Sequence, residues 1–214
     1  LRKEAAERLH ADRMAFIRSH RQSPLALYVA NEMISKSFSV PATDLEEILA
    51  RNCRISDTAR AARFCRQAEQ ACYFCKDIHY PDVPLHTPTF DTTLLSAHIR
   101  PGHVTLIDCW ASWCGPCRAA IPKVKALYDK YGRDRFDVIS ISLDSKKEDW
   151  QKALEEEKMP WPQFIAGNRG YKQLTSRYNI SSIPNLILID GKGQVVCNTF
   201  SPEEIRIELE QILR

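Results

Sequence analysis

The sequence predicts an α/β chain built on a mixed central sheet flanked by helices, preceded by an all-helical N-terminal region. Three observations carry this. From residue 103 onward, short runs rich in β-branched and apolar residues alternate with segments of helical period, the pattern of strands and their crossover helices. Two of the runs flank Asp190, Gly191, Lys192 and Gly193, a tight hairpin turn that makes one edge of the sheet antiparallel. Residues 1–79 hold no glycine, as suits packed helices joined by short turns.

In chain order, residues 1–20 read as a helix ended by Ser23 and Pro24. Residues 25–38 place Leu27, Ala30, Ile34 and Phe38 near one helical face. Thr43 and Asp44 read as the N-cap of a helix over 45–53, with Glu46 and Glu47 in its first turn. Ser56 and Asp57 do the same for a helix over 58–76. Pro81, Pro84 and Pro88 mark a linker, so the expected division is a helical region at 1–79 and an α/β domain at 80–214. Strands are expected near 103–110, 136–143, 185–190 and 194–198, and helices near 116–131, 146–158, 168–178 and 202–213. There is no internal repeat and no low-complexity tract.

The composition excludes several classes. Thirty Lys and Arg against 27 Asp and Glu give a net charge of +3, too balanced to argue for nucleic acid. The apolar runs, residues 186–189 among them, are far too short to span a bilayer, so membrane contact is expected only through an anchor outside this sequence. The chain opens on Leu1 and reads as a processed or trimmed form. With 214 residues and ordinary apolar segments, its eight cysteines do not describe a small disulfide-stapled scaffold.

Two of those cysteines decide the chemistry. Cys114, Gly115, Pro116 and Cys117 stand between a buried strand at 103–110 and a helix that starts at 116. Two thiols at that spacing can close and reopen a small disulfide ring. A helix N-terminus offers unpaired N–H groups and the positive end of the helix dipole, a setting that lowers a thiol pKa and favours a reactive thiolate. Cys114 is nearer that end and is expected to be the more exposed attacking sulfur. Pro116 lacks an N–H, and its fixed φ suits the first helical turn.

The full segment, Trp-Ala-Ser-Trp-Cys-Gly-Pro-Cys-Arg at 110–118, resembles the active-site segment of thioredoxin-like proteins, and more narrowly of the TlpA/ResA-type thiol-disulfide oxidoreductases of the AhpC/TSA-redoxin group in bacterial cell envelopes. Supporting matches are Pro81, Asp82 and Val83 before a first hairpin, Pro122 in the helix, the run from Tyr178 to Pro184, and residues 188–191. The resemblance covers about residues 80–214. It implies a thioredoxin-like fold and a dithiol-disulfide oxidoreductase in which Cys117 resolves a mixed disulfide formed by Cys114, most often as a reductant. Asp108 falls where thioredoxins hold a buried carboxylate able to take a proton from Cys117; it could instead cap or pair locally. Pro184 is the implied cis-proline, presenting the backbone of Ile183 to an extended substrate segment and barring metal capture by the thiols. Trp113 would shield and shape the site with Gly115 and Pro116, while Trp110 belongs to the core. The implied partners are protein thiol or disulfide substrates and an upstream electron-donor protein, with no metal and no cofactor beyond the redox-active disulfide. The implied location is the bacterial periplasm or envelope. Ala120 stands where envelope relatives often carry Glu, so a cytochrome-maturation role is not implied. The helical region is similar to what precedes the redox domain in some Bacteroidetes relatives.

Two other functions compete. A thiol peroxidase would need a peroxidatic motif around Cys114, which is absent; a non-catalytic partner-binding scaffold would not need Cys114, Cys117, Asp108 and Pro184 together. Cys72 and Cys75 form a second pair, with Cys65 upstream and His79 beyond; they stand open as buried helix residues, a second redox pair or part of a zinc site. Cys109 points to the sheet face opposite Asp108 and reads as core, whereas Cys53 and Cys197 carry no context. His86, His98 and His103 read as surface residues near the first hairpin, and residues 155–158 as a solvated helix end.

Overall fold

The computed structural model describes residues 2–20, 23–34, 40–52, 78–132 and 135–213. The chain divides into two compact units, Leu1–Ile78 and His79–Arg214. The first holds helices α1 (Arg2–Ser19), α2 (Pro24–Ile34) and α3 (Ala42–Asn52). Met14 and Ile17 of α1, Ala30 and Met33 of α2, and Leu45 and Ile48 of α3 bury one another with Val40. On α2 the buried line is Ala26, Ala30 and Met33, with Leu27 at its margin, a small turn away from the face read from the sequence. The N-cap expected at Thr43 and Asp44 is displaced. The helix already starts at Ala42, the N–H groups of Asp44 and Leu45 donate to Pro41 O, and Asp44 in the first turn takes His10 Nε2 at 2.7 Å instead. The helix expected over 58–76, the cysteines Cys53, Cys65, Cys72 and Cys75, and residues Phe38 and Ser56 lie outside the described residues.

The second unit is a seven-stranded sheet in the order β2-β1-β5-β4-β3-β6-β7. Its strands are β1 (Pro84–His86), β2 (Thr92–Leu94), β3 (Val104–Trp110), β4 (Phe136–Ser142), β5 (Gln163–Ile165), β6 (Asn185–Ile189) and β7 (Val195–Thr199). Helices α4 (Gly115–Tyr131), α5 (Lys147–Glu157), α6 (Gly167–Arg177) and α7 (Pro202–Ile212) connect and flank them. β3 runs parallel to β4 and antiparallel to β6, so the sheet is mixed as expected. Every residue of β3 is buried, which explains its nearly continuous apolar run: a central strand covered on both faces has no polar side to show.

The linker expected around Pro81–Pro88 is corrected in part. Pro84–His86 is a strand, paired with β2 and with β5. Pro84 opens it, where a missing N–H disrupts the ladder least. Tyr178 OH donates to Pro81 O at 2.6 Å and Arg177 Nη1 to Asp82 O at 2.9 Å, so contacts almost a hundred residues away make ordered structure of a proline-rich stretch. The three-residue strand β5 gives no periodic signal of its own and was not expected.

Leu106 and Leu94 test the burial reading. Leu106 lies fully buried in β3, between Val138 and Leu188. Leu106→Ala is expected to cost about 2–5 kcal/mol through the cavity it leaves. Leu94 is 50% exposed on the edge strand, and Leu94→Ala should change stability by no more than about 0.5 kcal/mol. Denaturant midpoints of the two variants measure the difference.

Candidate active site

The site forms where β3 ends and α4 begins. Trp110 O, at the last residue of the strand, accepts Leu143 N–H at 2.8 Å. The chain then turns through Ala111, Ser112 and Trp113, closed by Cys114 N–H donating to Ala111 O at 3.0 Å. Ser112 is anchored twice to Asp144, through its N–H at 2.9 Å and its hydroxyl at 2.7 Å. The other anchor of Asp144 is Ser142, whose hydroxyl donates to it at 2.7 Å and accepts its N–H at 2.9 Å. Asp144 is buried, so these contacts replace water at an otherwise unsolvated acid.

Cys114 is the N-cap of α4. Its backbone is extended, and its Sγ accepts the N–H of Cys117 at 3.2 Å. Cys114 and Cys117 are joined as a disulfide, with Cα atoms 5.3 Å apart. Gly115 and Pro116 form the exposed start of the first turn; an added Cβ at Gly115 would meet nothing within 4 Å. Cys114 is the more exposed of the two sulfur-bearing residues by a narrow margin, at 4% against 2% for Cys117, and both are buried. Both sulfurs enter a cluster of Trp110, Ala111, Ile121, Trp150, Ala153 and Ile165. Trp113, expected to shield and shape the site, stands 70% exposed next to Cys114. Trp110 is core, as expected. Ile183, partly buried, packs against the same cluster, and the Ile183–Pro184 bond is cis.

Asp108 lies two residues before Trp110 on β3 and therefore on the same sheet face. Its cross-strand neighbours are Ser140 on β4 and Leu186 on β6. Ser140 Oγ donates to Asp108 Oδ2 at 2.8 Å. Burial raises the Asp108 pKa from its ordinary range to about 6, while the bond from Ser140 pulls it the other way. Cys109 faces the opposite side, buried, with its thiol pushed well up by desolvation and by Asp108. Cys197 is also a buried thiol, pushed up to about 12 chiefly by desolvation.

Several contributors carried no local signal in the sequence. Arg118, beside Cys117, donates to Glu157 at 2.6 Å and to Glu156 at 2.7 Å, and Lys125 Nζ donates to Glu157 O at 2.6 Å. The helix end at 155–158, read as solvated, thus ties α5 to the active-site helix. Phe90, at the turn between β1 and β2, adopts a positive φ of 67° and packs against the disulfide cluster, with Lys147 Nζ 3.7 Å from its ring centroid and Trp150 edge-on. The histidines read as surface are partly buried: the His98 ring packs at a tilt on Phe164 and bonds Thr93 Oγ1 at 2.9 Å, and His103 Nδ1 lies 3.3 Å from Asp137. Among the described residues, no group of His, Cys, Asp and Glu could hold a metal ion, and no helix is long and apolar enough to cross a membrane.

Comparison with known proteins places this geometry. A family model described as Thioredoxin-like matches residues 102–195. The thiol-disulfide oxidoreductase ResA of Geobacillus kaustophilus is 26% identical over 133 residues, covering 58% of this chain and 75% of that protein. The thioredoxin domain of a thiol-disulfide oxidoreductase from Bacteroides vulgatus superposes with a TM-score of 0.59 at 24% identity, over 65% of this chain and 98% of that one, and shares the fold. A protein assigned as the thiol:disulfide interchange protein DsbE of Chlorobium tepidum is 32% identical, with a TM-score of 0.53, over 65% of this chain and 96% of that one. A redox-spaced cysteine pair closed as a disulfide at the strand-to-helix handover, in a chain with these similarities, belongs to the thioredoxin-like thiol-disulfide oxidoreductases.

Proposed function

We propose that this chain reduces disulfides in protein substrates, cycling Cys114 and Cys117 between dithiol and disulfide, in the periplasm or envelope of a bacterium. The observation that carries the chemistry is the placement of Cys114 Sγ as the acceptor of an α4 N–H, with a buried carboxyl on the sheet face beneath. In the dithiol, the helix N-terminus stabilises a Cys114 thiolate. That thiolate attacks a substrate disulfide; one substrate sulfur leaves as a thiolate and the other bonds to Cys114. Cys117 then gives its proton to the Asp108 carboxylate and attacks Cys114 Sγ. The Cys114–Cys117 bond forms, the mixed disulfide breaks, and the second substrate sulfur leaves reduced. An upstream donor protein returns two electrons to the pair, and no further cofactor is required.

Gly115 and Pro116 present the sulfurs at an exposed turn. Trp113 and Ile183 supply apolar surface beside them for an extended substrate segment, with Pro184 setting the course of the Ile183 backbone. The reducing direction is supported by the Gly-Pro pair between the cysteines and by the resemblance to envelope reductants. The envelope location is supported by that same resemblance.

Titration of the pair against dithiothreitol and glutathione buffers, read by thiol alkylation and mass spectrometry, tests this reading. A midpoint near thioredoxin's value of about −270 mV is expected; one near about −120 mV would make the protein an oxidant and overturn the direction. Cys114→Ser should abolish the exchange.

Asp108→Asn should slow resolution of the mixed disulfide and raise the stability of the oxidised protein at neutral pH. The sign follows from linkage: with its pKa raised from 3.8 to about 6, folded Asp108 holds a proton that the unfolded chain has released, so its contribution is lost as pH rises through that window. Stability curves at pH 4 and pH 7 should converge in the variant.

Asp144→Ala leaves the N–H and hydroxyl of Ser112 and the hydroxyl of Ser142 without their acceptor. It is expected to cost about 1–3 kcal/mol. By loosening the turn it should also slow thiol exchange about tenfold or more while the redox midpoint moves little. Stopped-flow exchange kinetics and the titration above check the pair of outcomes.

A further inference from the structure

β4 carries two serines on one face, Ser140 and Ser142, each bonded to a buried acid. Ser142 serves the Asp144 anchor. Ser140 has an environment that an anchor alone does not need. Its Oγ accepts Trp161 Nε1–H at 2.8 Å and lies within reach of two acceptors for its single proton: Asp108 Oδ2 at 2.8 Å and Met159 Sδ at 3.9 Å. An indole N–H can only donate, so one lone pair of the hydroxyl is committed and the direction of that bond is settled. The remaining hydroxyl proton and second lone pair are the parts that can rearrange. Ser140 and Trp161 are buried, and Met159 packs against the disulfide cluster, so protein groups rather than bulk solvent set these choices. Trp161 also meets the ring of Tyr128 on the active-site helix edge-on, at 5.4 Å.

We propose that Ser140 is a positioning residue for proton transfer at Asp108: held by Trp161, its hydroxyl donates to the Asp108 carboxylate when that group is charged and turns to Met159 Sδ when Asp108 is protonated. In the charged state the hydroxyl accepts from Trp161 and donates to Asp108 Oδ2. When Cys117–SH gives its proton to Asp108, the new carboxyl O–H needs an acceptor. The second lone pair of Ser140 Oγ supplies one, provided the serine proton leaves for another site. Met159 Sδ, a weak acceptor, is that site. No proton is gained or lost by Ser140, Trp161 or Met159; one moves from sulfur to carboxylate and one hydroxyl rotates.

The groups around Asp108 fit such a relay. β4 offers it Ser140 and β6 offers Leu186, neither of which is charged. Cys109 next to it on β3 faces the other way with its thiol held protonated, and α4 brings the redox pair to the same side of the sheet. Burial and the Ser140 bond are the two influences on its proton affinity, and they oppose each other.

The inference rests on Asp108 as the proton acceptor of the proposed cycle, and its test separates the two. In the oxidised protein, protonation of Asp108 is followed against pH by the infrared carboxyl band that Asp108→Asn removes, a reading that needs no turnover. Ser140→Ala deletes both the donor to the charged form and the acceptor of the protonated carboxyl; the bond to the charged form is the stronger, so the midpoint should move up, by less than about one pH unit. Met159→Leu, of similar volume, deletes the acceptor used in the protonated state and should move it down by a smaller amount. Opposite shifts support the relay; shifts of the same sign, or none, overturn it. If Ser140→Ala does not fold, Met159→Leu decides alone: a downward shift supports the relay and an unmoved or raised midpoint overturns it. Opposite shifts in the infrared band with a flat pH profile of thiol exchange would leave the relay standing and remove Asp108 from the catalytic cycle.

Discussion

The handover from β3 to α4 is held by bonds that make a cysteine sulfur the cap of a helix. Cys114 Sγ takes the N–H of Cys117, in the place where a serine or aspartate oxygen usually serves. A sulfur can act as a cap only if the preceding turn places it there, and that turn is fixed from three sides. Leu143 N–H binds the last carbonyl of the strand, Ala111 O closes the turn on Cys114, and Asp144 holds Ser112 by two hydrogen bonds. The reactivity proposed for Cys114 is therefore a property of backbone geometry as much as of the thiol.

β4 is the scaffold for this arrangement. Its apolar residues Val138, Ile139 and Ile141 are buried beside β3, while Ser140 and Ser142 reach two acids of different use. One acid, Asp144, is surrounded by donors and serves as an anchor. The other, Asp108, has Ser140 as its one side-chain donor among the described residues and a raised proton affinity, and serves proton transfer in the proposed cycle. Neighbouring serines on one strand can serve different acids because both point to the same face of the sheet while the acids come from different segments, β3 and the turn after β4.

The surroundings of the site are tied down by contacts of long sequence separation. Arg118 joins α4 to Glu156 and Glu157 at the end of α5, and the turn at Phe90 reaches the disulfide cluster from the β1–β2 hairpin. The ion pairs are partly exposed, and such pairs contribute little to stability. Their value lies in holding the N-terminal turn of α4 against a second helix. The helical unit has its own core in Met14, Ile17, Ala30, Met33, Leu45 and Ile48, built by ordinary apolar packing.

What the sequence by itself determined is local in origin. The strand ending at Trp110, the helix opening at Gly115, the cysteine pair between them and the antiparallel turn at 190–193 each depend on a few adjacent residues whose period, glycine content or spacing is diagnostic. Asp108 was legible as a buried acid through the resemblance to thioredoxins, while alternation along the strand set it on the face opposite Cys109. The tertiary structure alone decided what that acid meets. Ser140 is 32 residues away and Trp161 a further 21, and a serine inside an apolar strand has no pattern that announces a partner. The same holds for Asp144 with Ser112, for Arg118 with the glutamates, and for the strands β1 and β5, which are too short to show a period and exist because neighbouring backbone is present to pair with them. Spacing along the chain encodes backbone conformation; which buried polar groups satisfy one another is settled only when the sheet brings distant strands to about 5 Å.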